Sequence, residues 1–140
     1  MTSQPVHVRD LMTHEVATLE RNDMLSVANN VMQLGRIRHM VVLDESGAIA
    51  GVVSQRDLFR GTLVKALGYG TVAQQRLMDS IPVKEIMATD LAIATPDTPL
   101  SEAAQLMAER KIGCLPVVEK DKLVGILTEG DFVAYFARVE

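Results

Sequence analysis

The sequence contains a single cysteine, Cys114, among its 140 residues. One cysteine cannot form an intrachain disulfide, and it excludes zinc sites that need two or four cysteine ligands. The three histidines, His7, His14 and His39, show no spacing typical of metal ligands, so we expect no metal site. We expect Cys114 itself to be a small buried side chain beside Leu115.

The sequence also lacks an excess of positive charge. Its 14 Lys and Arg residues are outnumbered by 18 Asp and Glu residues, which gives a formal net charge of −4 at pH 7. Broad binding to nucleic acid or to an anionic membrane surface depends on accumulated cations. We therefore expect neither nucleic acid nor membrane as a partner, although a local basic pocket is compatible with this composition.

Long apolar runs are absent as well. No stretch approaches the length that crosses a bilayer, and polar residues such as His7, Arg9 and Asp10 lie where a secretory signal would need an apolar segment. These features predict a cytoplasmic protein. With 48% hydrophobic and 23% charged residues, the chain is typical of a globular protein that buries one core or two half-domains sharing one.

The main positive feature is an internal duplication. Val8–Met12 returns as Val83–Met87, and Gly51–Ser54 returns as Gly125–Thr128. The spacing is 75 positions for the first pair and 74 for the second, so the second copy lacks one residue, most simply in a turn. Two copies are too few for an open solenoid. We therefore predict two units that bury their faces against each other about a pseudo-twofold axis.

Each copy is predicted to fold as strand, helix, strand, strand, helix. Half-buried strands open the copies at Glu15–Leu19 and Asp90–Ala94. A helix follows, because apolar residues recur at i, i+3 and i+7, as in Leu25, Ala28 and Met32. Two β-branched apolar runs joined by a short polar turn then predict a hairpin. The predicted organisation is a first repeat over 1–60, a helical connector over 61–82 and a second repeat over 83–140, together one compact module.

Several phrases of the sequence, taken together and in register, resemble the CBS domain, a family named after cystathionine beta-synthase. They are Asp10–Thr13, Ile37–Val42, Leu115–Val118, and the two matched segments Gly51-Val52-Val53-Ser54-x-x-Asp57 and Gly125-Ile126-Leu127-Thr128-x-x-Asp131. The resemblance implies a tandem pair, often called a Bateman module. Its fold class is α/β (α+β), with two pseudo-twofold-related repeats packed through their sheets, and such modules commonly form homodimers.

The resemblance also implies a function. In many family members, clefts between the two repeats bind adenosine-containing ligands such as AMP, ADP, ATP or S-adenosylmethionine, and the module regulates a catalytic or transport unit. We therefore predict a stand-alone regulatory module that needs no cofactor, forms a homodimer and acts on an unidentified protein. No nucleophile–base pair, catalytic carboxylate pair or P-loop has supporting sequence context, so we expect no enzyme activity.

Two matched motifs, Ser54-x-x-Asp57 and Thr128-x-x-Asp131, are the candidates for binding ribose. A carboxylate at a strand end can accept hydrogen bonds from both ribose hydroxyls, and the hydroxyl three positions earlier lies at a helix start, where anions are favoured. By resemblance, Asp57 and Asp131 would bind the ribose, with Ser54 and Thr128 beside them. The same pattern is also a helix-capping box that needs no ligand. The two roles can coexist, and both stay open.

Basic residues before the second strand of each copy are the candidates for binding phosphate. By family position Arg38 and His39 would make these contacts, with Arg36 and Lys111 as further candidates. Arg36 and Lys111 are equally typical of a helix C-terminus, where cations complement the dipole. The second copy has no cation at the places of Arg38 and His39, so one of the two clefts is expected to be poorer in positive charge.

An adenine ring would need apolar walls and backbone hydrogen bonds. By resemblance, the residues at those positions are Thr13, Val16, Ala17, Thr89, Leu91 and Ala92. Ordinary core packing is the alternative interpretation for the apolar ones. The alternative function is a ligand-free CBS dimer that serves as a protein–protein interaction or dimerisation module, with apolar surfaces in its subunit contacts.

Overall fold

The computed structural model describes residues 6–66 and 70–138 of the chain. Within these ranges it contains both helices and strands, as predicted. In chain order the elements are β1 (Thr18–Glu20), α1 (Leu25–Gly35), β2 (His39–Leu43), β3 (Ile49–Ser54), α2 (Gln55–Ala66), α3 (Gly70–Ser80), α4 (Leu100–Arg110), β4 (Cys114–Glu119), β5 (Lys122–Thr128) and α5 (Glu129–Arg138). Short 3-10 helices at Val8–Asp10 and Val83–Glu85 precede the first element of each repeat.

The first repeat folds in the predicted order of strand, helix, strand, strand, helix. Its three strands form one sheet in the order β1-β2-β3, in which β1 is parallel and β3 antiparallel to β2. The opening strand is shorter than Glu15–Leu19 and is displaced to Thr18–Glu20. The second repeat has α4, the antiparallel pair β4-β5 and α5 in the same order.

The opening strand of the second repeat is the element that the sequence predicted wrongly. Instead of a strand over Asp90–Ala94, the structure has a single parallel bridge between Ala94 and Val117. In the first repeat, the N–H of Val41 donates to the carbonyl of Ala17. The residue 75 positions after Val41 is Pro116, which has no N–H to donate. The ladder therefore cannot extend as it does in the first repeat.

The described chain divides into two compact units that do not coincide with the sequence repeats. One, which we call the Asp57 unit, is Ala17–Leu91, and the other, the Asp131 unit, joins the residues up to Val16 to those from Ala92 onward. The 3-10 helix of each repeat thus lies in the unit that contains the other repeat's hairpin. The predicted repeat boundaries concern the sequence copies and stay a prediction.

Each unit has its own apolar core, and each core includes a valine from a 3-10 helix. Val83 is fully buried with Leu25 and Met40 in the core of the Asp57 unit. Val8 is fully buried with Leu115 in the core of the Asp131 unit. Burying a valine side chain contributes about 1.5–3 kcal/mol, so the segment that carries each valine is held firmly against its sheet.

Candidate functional site

The side chain of Asp57 closes a capping box at the start of α2. Its Oδ2 accepts a hydrogen bond from the backbone N–H of Ser54 at 2.9 Å, and the Ser54 hydroxyl accepts one from the N–H of Asp57 at 3.1 Å. These reciprocal bonds are the geometry of a helix N-cap, so the capping interpretation is confirmed here. Among the described residues, Oδ1 of Asp57 has no hydrogen-bond donor.

Asp131 closes the same box at the start of α5. Its Oδ2 accepts from the N–H of Thr128 at 2.9 Å, and the Thr128 hydroxyl accepts from the N–H of Asp131 at 3.3 Å. Here the second carboxylate oxygen is also occupied, because the hydroxyl of Thr13 donates to Oδ1 at 2.9 Å. Thr13 comes from the N-terminal segment of the chain, which lies beside β5 in this unit.

Backbone pairing explains why the segment around Thr13 lies where it does. The N–H of Thr13 donates to the carbonyl of Ile126 at 2.8 Å, and the reverse bond is 2.9 Å. In the Asp57 unit, Ala88 and Val52 exchange the same two bonds at 2.9 and 3.0 Å. Ala88 is therefore the structural counterpart of Thr13, and the predicted rim residue Thr89 lies one position beyond it.

The segment that carries Met87 and Ala88 and the one that carries Met12 and Thr13 each pack closely over a glycine of the adjoining hairpin. A Cβ on Gly51 would lie 2.6 Å from the Met87 sulfur and 2.9 Å from the carbonyl oxygen of Ala88. A Cβ on Gly125 would lie 2.9 Å from the Met12 sulfur and 3.0 Å from the carbonyl oxygen of Thr13. Both glycines are required because a backbone and a methionine pass directly over them.

The candidate phosphate contacts Arg38 and His39 lie next to the box of the Asp57 unit. His39 is directly opposite Ser54 in the β2–β3 register, and the carbonyl of Arg38 accepts the N–H of Gln55 at 2.8 Å. The Arg38 side chain is exposed, and His39 is half-buried. The backbone of Arg38 thus adjoins the start of α2, where anions are favoured, and an exposed guanidinium is a suitable phosphate ligand.

The matching positions of the Asp131 unit carry no charge. Cys114 lies opposite Thr128, and the carbonyl of Gly113 accepts the N–H of Glu129 at 3.0 Å. The backbone at the two helix starts is thus alike, and the difference is confined to side chains. As expected from the sequence, Cys114 is buried.

The other two candidate cations, Arg36 and Lys111, end helices. Each is the C-cap residue of its helix in the left-handed conformation, with φ of 54° for Arg36 and 56° for Lys111. Their N–H groups donate to the carbonyls of Met32 and Met107, and both side chains are exposed. This is a helix-terminating geometry that usually favours glycine, and it gives both residues a structural role.

The candidate adenine-contacting residues are divided between the two units. Thr13, Val16 and Ala92 belong to the Asp131 unit, whereas Ala17, Thr89 and Leu91 belong to the Asp57 unit. Ala17 and Ala92 pack against the cores of their units, which supports core packing for those two. Thr13 and Thr89 are exposed, and Val16 and Leu91 are half-buried.

Ala88 is the residue of interest that sequence reasoning missed. Continuing the 75-residue offset by one position beyond Met12 and Met87 pairs Thr13 with Ala88, so the signal was present. It was obscured because Thr89 offered the same residue type as Thr13 at the neighbouring position.

The described residues contain neither a cluster of metal ligands nor a membrane-spanning helix. Over 6–66 and 70–138, no set of three or more His, Cys, Asp and Glu side chains is arranged to hold a metal ion. In the same ranges, no helix has the length and apolar character needed to cross a membrane.

The family model of the CBS domain matches the chain twice, over residues 8–63 and 83–138. CBS domain-containing protein YhcV of Bacillus subtilis (strain 168) is 35% identical over 124 residues, covering 89% of this chain and 81% of that protein. Homoserine O-acetyltransferase of Methanococcoides burtonii is 31% identical over 125 residues, but the chain covers only 23% of that enzyme.

Solved structures show the same architecture. The CBS domain pair of protein MJ0100, in complex with 5′-methylthioadenosine and S-adenosyl-L-methionine, is 25% identical with a TM-score of 0.77, covering 97% of this chain and 100% of that chain. An uncharacterized conserved protein from Pyrococcus horikoshii is 26% identical with a TM-score of 0.80, covering 99% of this chain and 98% of that chain.

Proposed function

The chain belongs to the CBS domain family as a tandem pair, and we propose that it is a regulatory module that binds an adenosyl ligand. The candidate ligands are AMP, ADP, ATP and S-adenosylmethionine. The observation that carries the proposal is the pair of carboxylates, Asp57 and Asp131, each fixed by a capping box in the first turn of a helix. A relative of the same fold, the MJ0100 pair, is solved with two adenosyl compounds.

Ribose recognition is the part of the proposal that the geometry supports best. A carboxylate offers about four acceptor positions, and the capping box of Asp57 uses only one of its two oxygens. The box also restricts the carboxylate to one orientation, which lowers the entropic cost of binding. Vicinal hydroxyls of a ribose are two donors at a fixed spacing, and a carboxylate can accept both. Ser54 and Thr128 take part by holding the acid.

Phosphate recognition is assigned to Arg38 and His39. Both lie at the start of α2, where backbone N–H groups and the helix dipole favour negative charge. Arg38 is exposed and offers five N–H donors in a planar fork that matches phosphate oxygens. We give Arg36 and Lys111 a secondary role, because both already terminate helices.

The adenine contacts stay a proposal that rests on the family resemblance. They are Thr13, Val16, Ala17, Thr89, Leu91 and Ala92. The half-buried side chains in this set offer the partly apolar surface that a purine needs. Homodimer formation, a cytoplasmic location and an unidentified regulated protein are further parts of the same proposal.

We assign the chain a regulatory role and not a catalytic one. The homoserine O-acetyltransferase that it resembles is an enzyme, but the chain covers only 23% of it. The CBS model accounts for 8–63 and 83–138, and these ranges hold the residues proposed here for ligand binding.

A thermal-shift screen tests the proposed function. The panel is AMP, ADP, ATP, S-adenosylmethionine and 5′-methylthioadenosine. AMP and ATP are each matched with the corresponding 2′,3′-dideoxy compound, which keeps the phosphate and lacks only the ribose hydroxyls. A ligand at about 100 times its Kd raises the free energy of unfolding by about 2.7 kcal/mol. We expect at least one panel compound to raise the melting temperature and the dideoxy compounds to have no effect. A flat response to the whole panel would overturn the proposal.

A second candidate function, dimerisation without a ligand, is favoured by the outer face of α1. Leu34 is 88% exposed and Val27 is 43% exposed. The residues at the matching positions of α4 are Glu102 and Glu109, so only one repeat carries this apolar face. The segment Leu25–Gly35 contains no charged residue, which means that pairing with its own copy creates no charge repulsion and that a charged partner would find no counter-charge.

Sedimentation velocity tests that candidate without any ligand. Leu34→Glu introduces the residue type that α4 has at the matching position, and we expect it to shift a dimer toward monomer. Glu109→Gln, a change on the exposed surface of α4, is the control and should leave the sedimentation coefficient unaltered. A wild-type chain that is monomeric at all concentrations would contradict the dimerisation function.

A further inference from the structure

We propose that the two units differ in affinity for an adenosyl ligand. The residues at two matching positions, 88 in the Asp57 unit and 13 in the Asp131 unit, set this difference. The Asp57 unit, with Ala88, is the tight site, and the Asp131 unit, with Thr13, is the weak one. This inference rests on the proposed function and specifies which carboxylate a ribose meets first.

The carboxylates differ in how many of their oxygens are already engaged. Both use Oδ2 in a capping box, with the same 2.9 Å distance from the backbone N–H of Ser54 or Thr128. Oδ1 of Asp131 also accepts the hydroxyl of Thr13 at 2.9 Å. Among the described residues, Oδ1 of Asp57 accepts nothing. A ribose therefore meets an open Oδ1 at Asp57, whereas at Asp131 it must share Oδ1 with the Thr13 hydroxyl or displace that hydroxyl.

The cause is a single side chain on an otherwise matched backbone. Thr13 pairs with Ile126 through two backbone hydrogen bonds, and Ala88 pairs with Val52 in the same way. The two positions therefore present their side chains from equivalent backbone sites. Threonine reaches the carboxylate through its hydroxyl, whereas alanine has no donor to offer.

A second, independent difference acts in the same direction. The exposed Arg38 lies at the start of α2 in the Asp57 unit, and Gly113 is its counterpart in the Asp131 unit. A ligand that carries phosphate gains an attractive charge at the first site that is lacking at the second. An uncharged adenosyl compound isolates the contribution of residue 13 or 88 from that of Arg38.

Isothermal titration calorimetry with 5′-methylthioadenosine, which is uncharged, and with AMP tests the inference. We expect one tight site per chain, which Asp57→Ala removes and Asp131→Ala keeps. Ala88→Thr should weaken the tight site about fivefold relative to Ala88→Val, because the added hydroxyl competes with the ribose for Oδ1 of Asp57. Valine has the shape of threonine without the hydroxyl, so the pair isolates the hydrogen bond.

Thr13→Val provides the reverse arm and covers the case in which a variant at position 88 does not fold. It frees Oδ1 of Asp131 and should strengthen the weak site about fivefold. Circular dichroism confirms that each variant is folded before titration. The difference between AMP and 5′-methylthioadenosine should be larger at the tight site and should shrink in Arg38→Ala.

Three results would overturn the inference. Loss of tight binding in Asp131→Ala and not in Asp57→Ala would reverse the order of the sites. Equal affinities for Ala88→Thr and Ala88→Val, together with no change in Thr13→Val, would remove the role of the hydroxyl. If neither probe binds, the inference fails, and the thermal-shift panel separately decides whether the proposed function survives.

Discussion

The Asp57 unit and the Asp131 unit contain the same hairpin followed by the same capped helix, yet they differ in what lies beside each hairpin. In the Asp57 unit, β1 adds a third strand, because Val41 can donate its N–H. In the Asp131 unit, Pro116 has no N–H, and the adjoining segment makes only one bridge. The missing N–H of one residue thus accounts for the loss of the bridge that corresponds to Thr18–Val41.

The same comparison applies to the segments that cross each hairpin. Both are 3-10 helices that bury a valine and pass a methionine over a glycine. They differ at the next position, where Thr13 bonds to a carboxylate and Ala88 does not. The duplication therefore preserved the packing of the backbone and left individual side chains free to diverge, which is how two equivalent folds can acquire unequal sites.

The largest expected effect comes from filling the contact beneath a methionine. Gly51→Ala would place a Cβ 2.6 Å from the Met87 sulfur and 2.9 Å from a backbone oxygen, whereas the corresponding distances for Gly125→Ala are 2.9 and 3.0 Å. We expect both to destabilise the protein by about 1–3 kcal/mol, with Gly51→Ala the worse. Urea unfolding measures the difference.

Gly130→Ala is the control for that experiment. Its Cβ would meet only the Thr128 hydroxyl at 3.5 Å, within a helix, where alanine is favoured over glycine by up to about 1 kcal/mol. A Gly51→Ala protein as stable as Gly130→Ala would show that the segment around Met87 can move away freely.

The capping hydroxyls should have the next largest effect. Ser54→Ala removes the acceptor for the N–H of Asp57, a bond of 3.1 Å, and Thr128→Val removes the matching bond of 3.3 Å. Loss of an N-cap costs about 0.5–2 kcal/mol. We expect Thr128→Val to cost less, because Thr13 still holds the Asp131 carboxylate. Thermal unfolding of the two variants in the absence of ligand tests this order, and a larger loss in Thr128→Val would contradict it.

Pro116→Val should change local structure more than stability. It restores the N–H that Val41 supplies in the other unit, and a hydrogen bond to the carbonyl of Ala92 should form. The bond contributes about 0.5–1.5 kcal/mol. Loss of proline offsets a similar amount, about 0.4–1 kcal/mol, because the unfolded chain gains conformational entropy. Hydrogen exchange should show a protected amide at position 116. Rapid exchange there would mean that another feature limits the strand.

The smallest expected effect is a pH dependence at the start of the Asp131 unit. The backbone N–H groups of His7 and Val6 donate to the Asp10 carboxylate and hold its pKa below the ordinary value of 3.8. A lowered pKa in the folded state means that this contribution to stability is complete above about pH 4 and is lost as the pH falls through the folded pKa. The free energy of unfolding of Asp10→Asn should therefore be lower than that of wild type at neutral pH, and the two values should converge in acid.

Glu85→Gln is the matched control for the Asp10 variant. Glu85 occupies the equivalent position of the other 3-10 helix, and the residue at the place of His7 is Pro82, which has no N–H to donate. Urea unfolding from pH 7 to pH 3 should show the converging difference for Asp10→Asn alone. A constant difference at every pH would contradict the linkage.

Much of the fold followed from the sequence because its signals are local or repeated. The i, i+3, i+7 spacing of Leu25, Ala28 and Met32 predicted α1, and all three are buried. The Ser-x-x-Asp and Thr-x-x-Asp spacings predicted the capping boxes, which depend only on residues three apart. The strand over Asp90–Ala94 was predicted wrongly, because its pairing depends on Pro116, a partner distant in sequence that has no N–H to donate.

By itself, the sequence determined the duplicated pattern, the helices and the family, since apolar periodicity, capping chemistry and repeat offset are all properties of neighbouring residues. Only the tertiary structure decided which segment crosses which hairpin. Thr13 lies 118 positions from Asp131, and hydrogen bonding between such residues depends on how the chain returns, which no local pattern encodes. Because the chain returns in this way, the Thr13 hydroxyl occupies Oδ1 of Asp131. The corresponding Oδ1 of Asp57 accepts no hydrogen bond from the described residues.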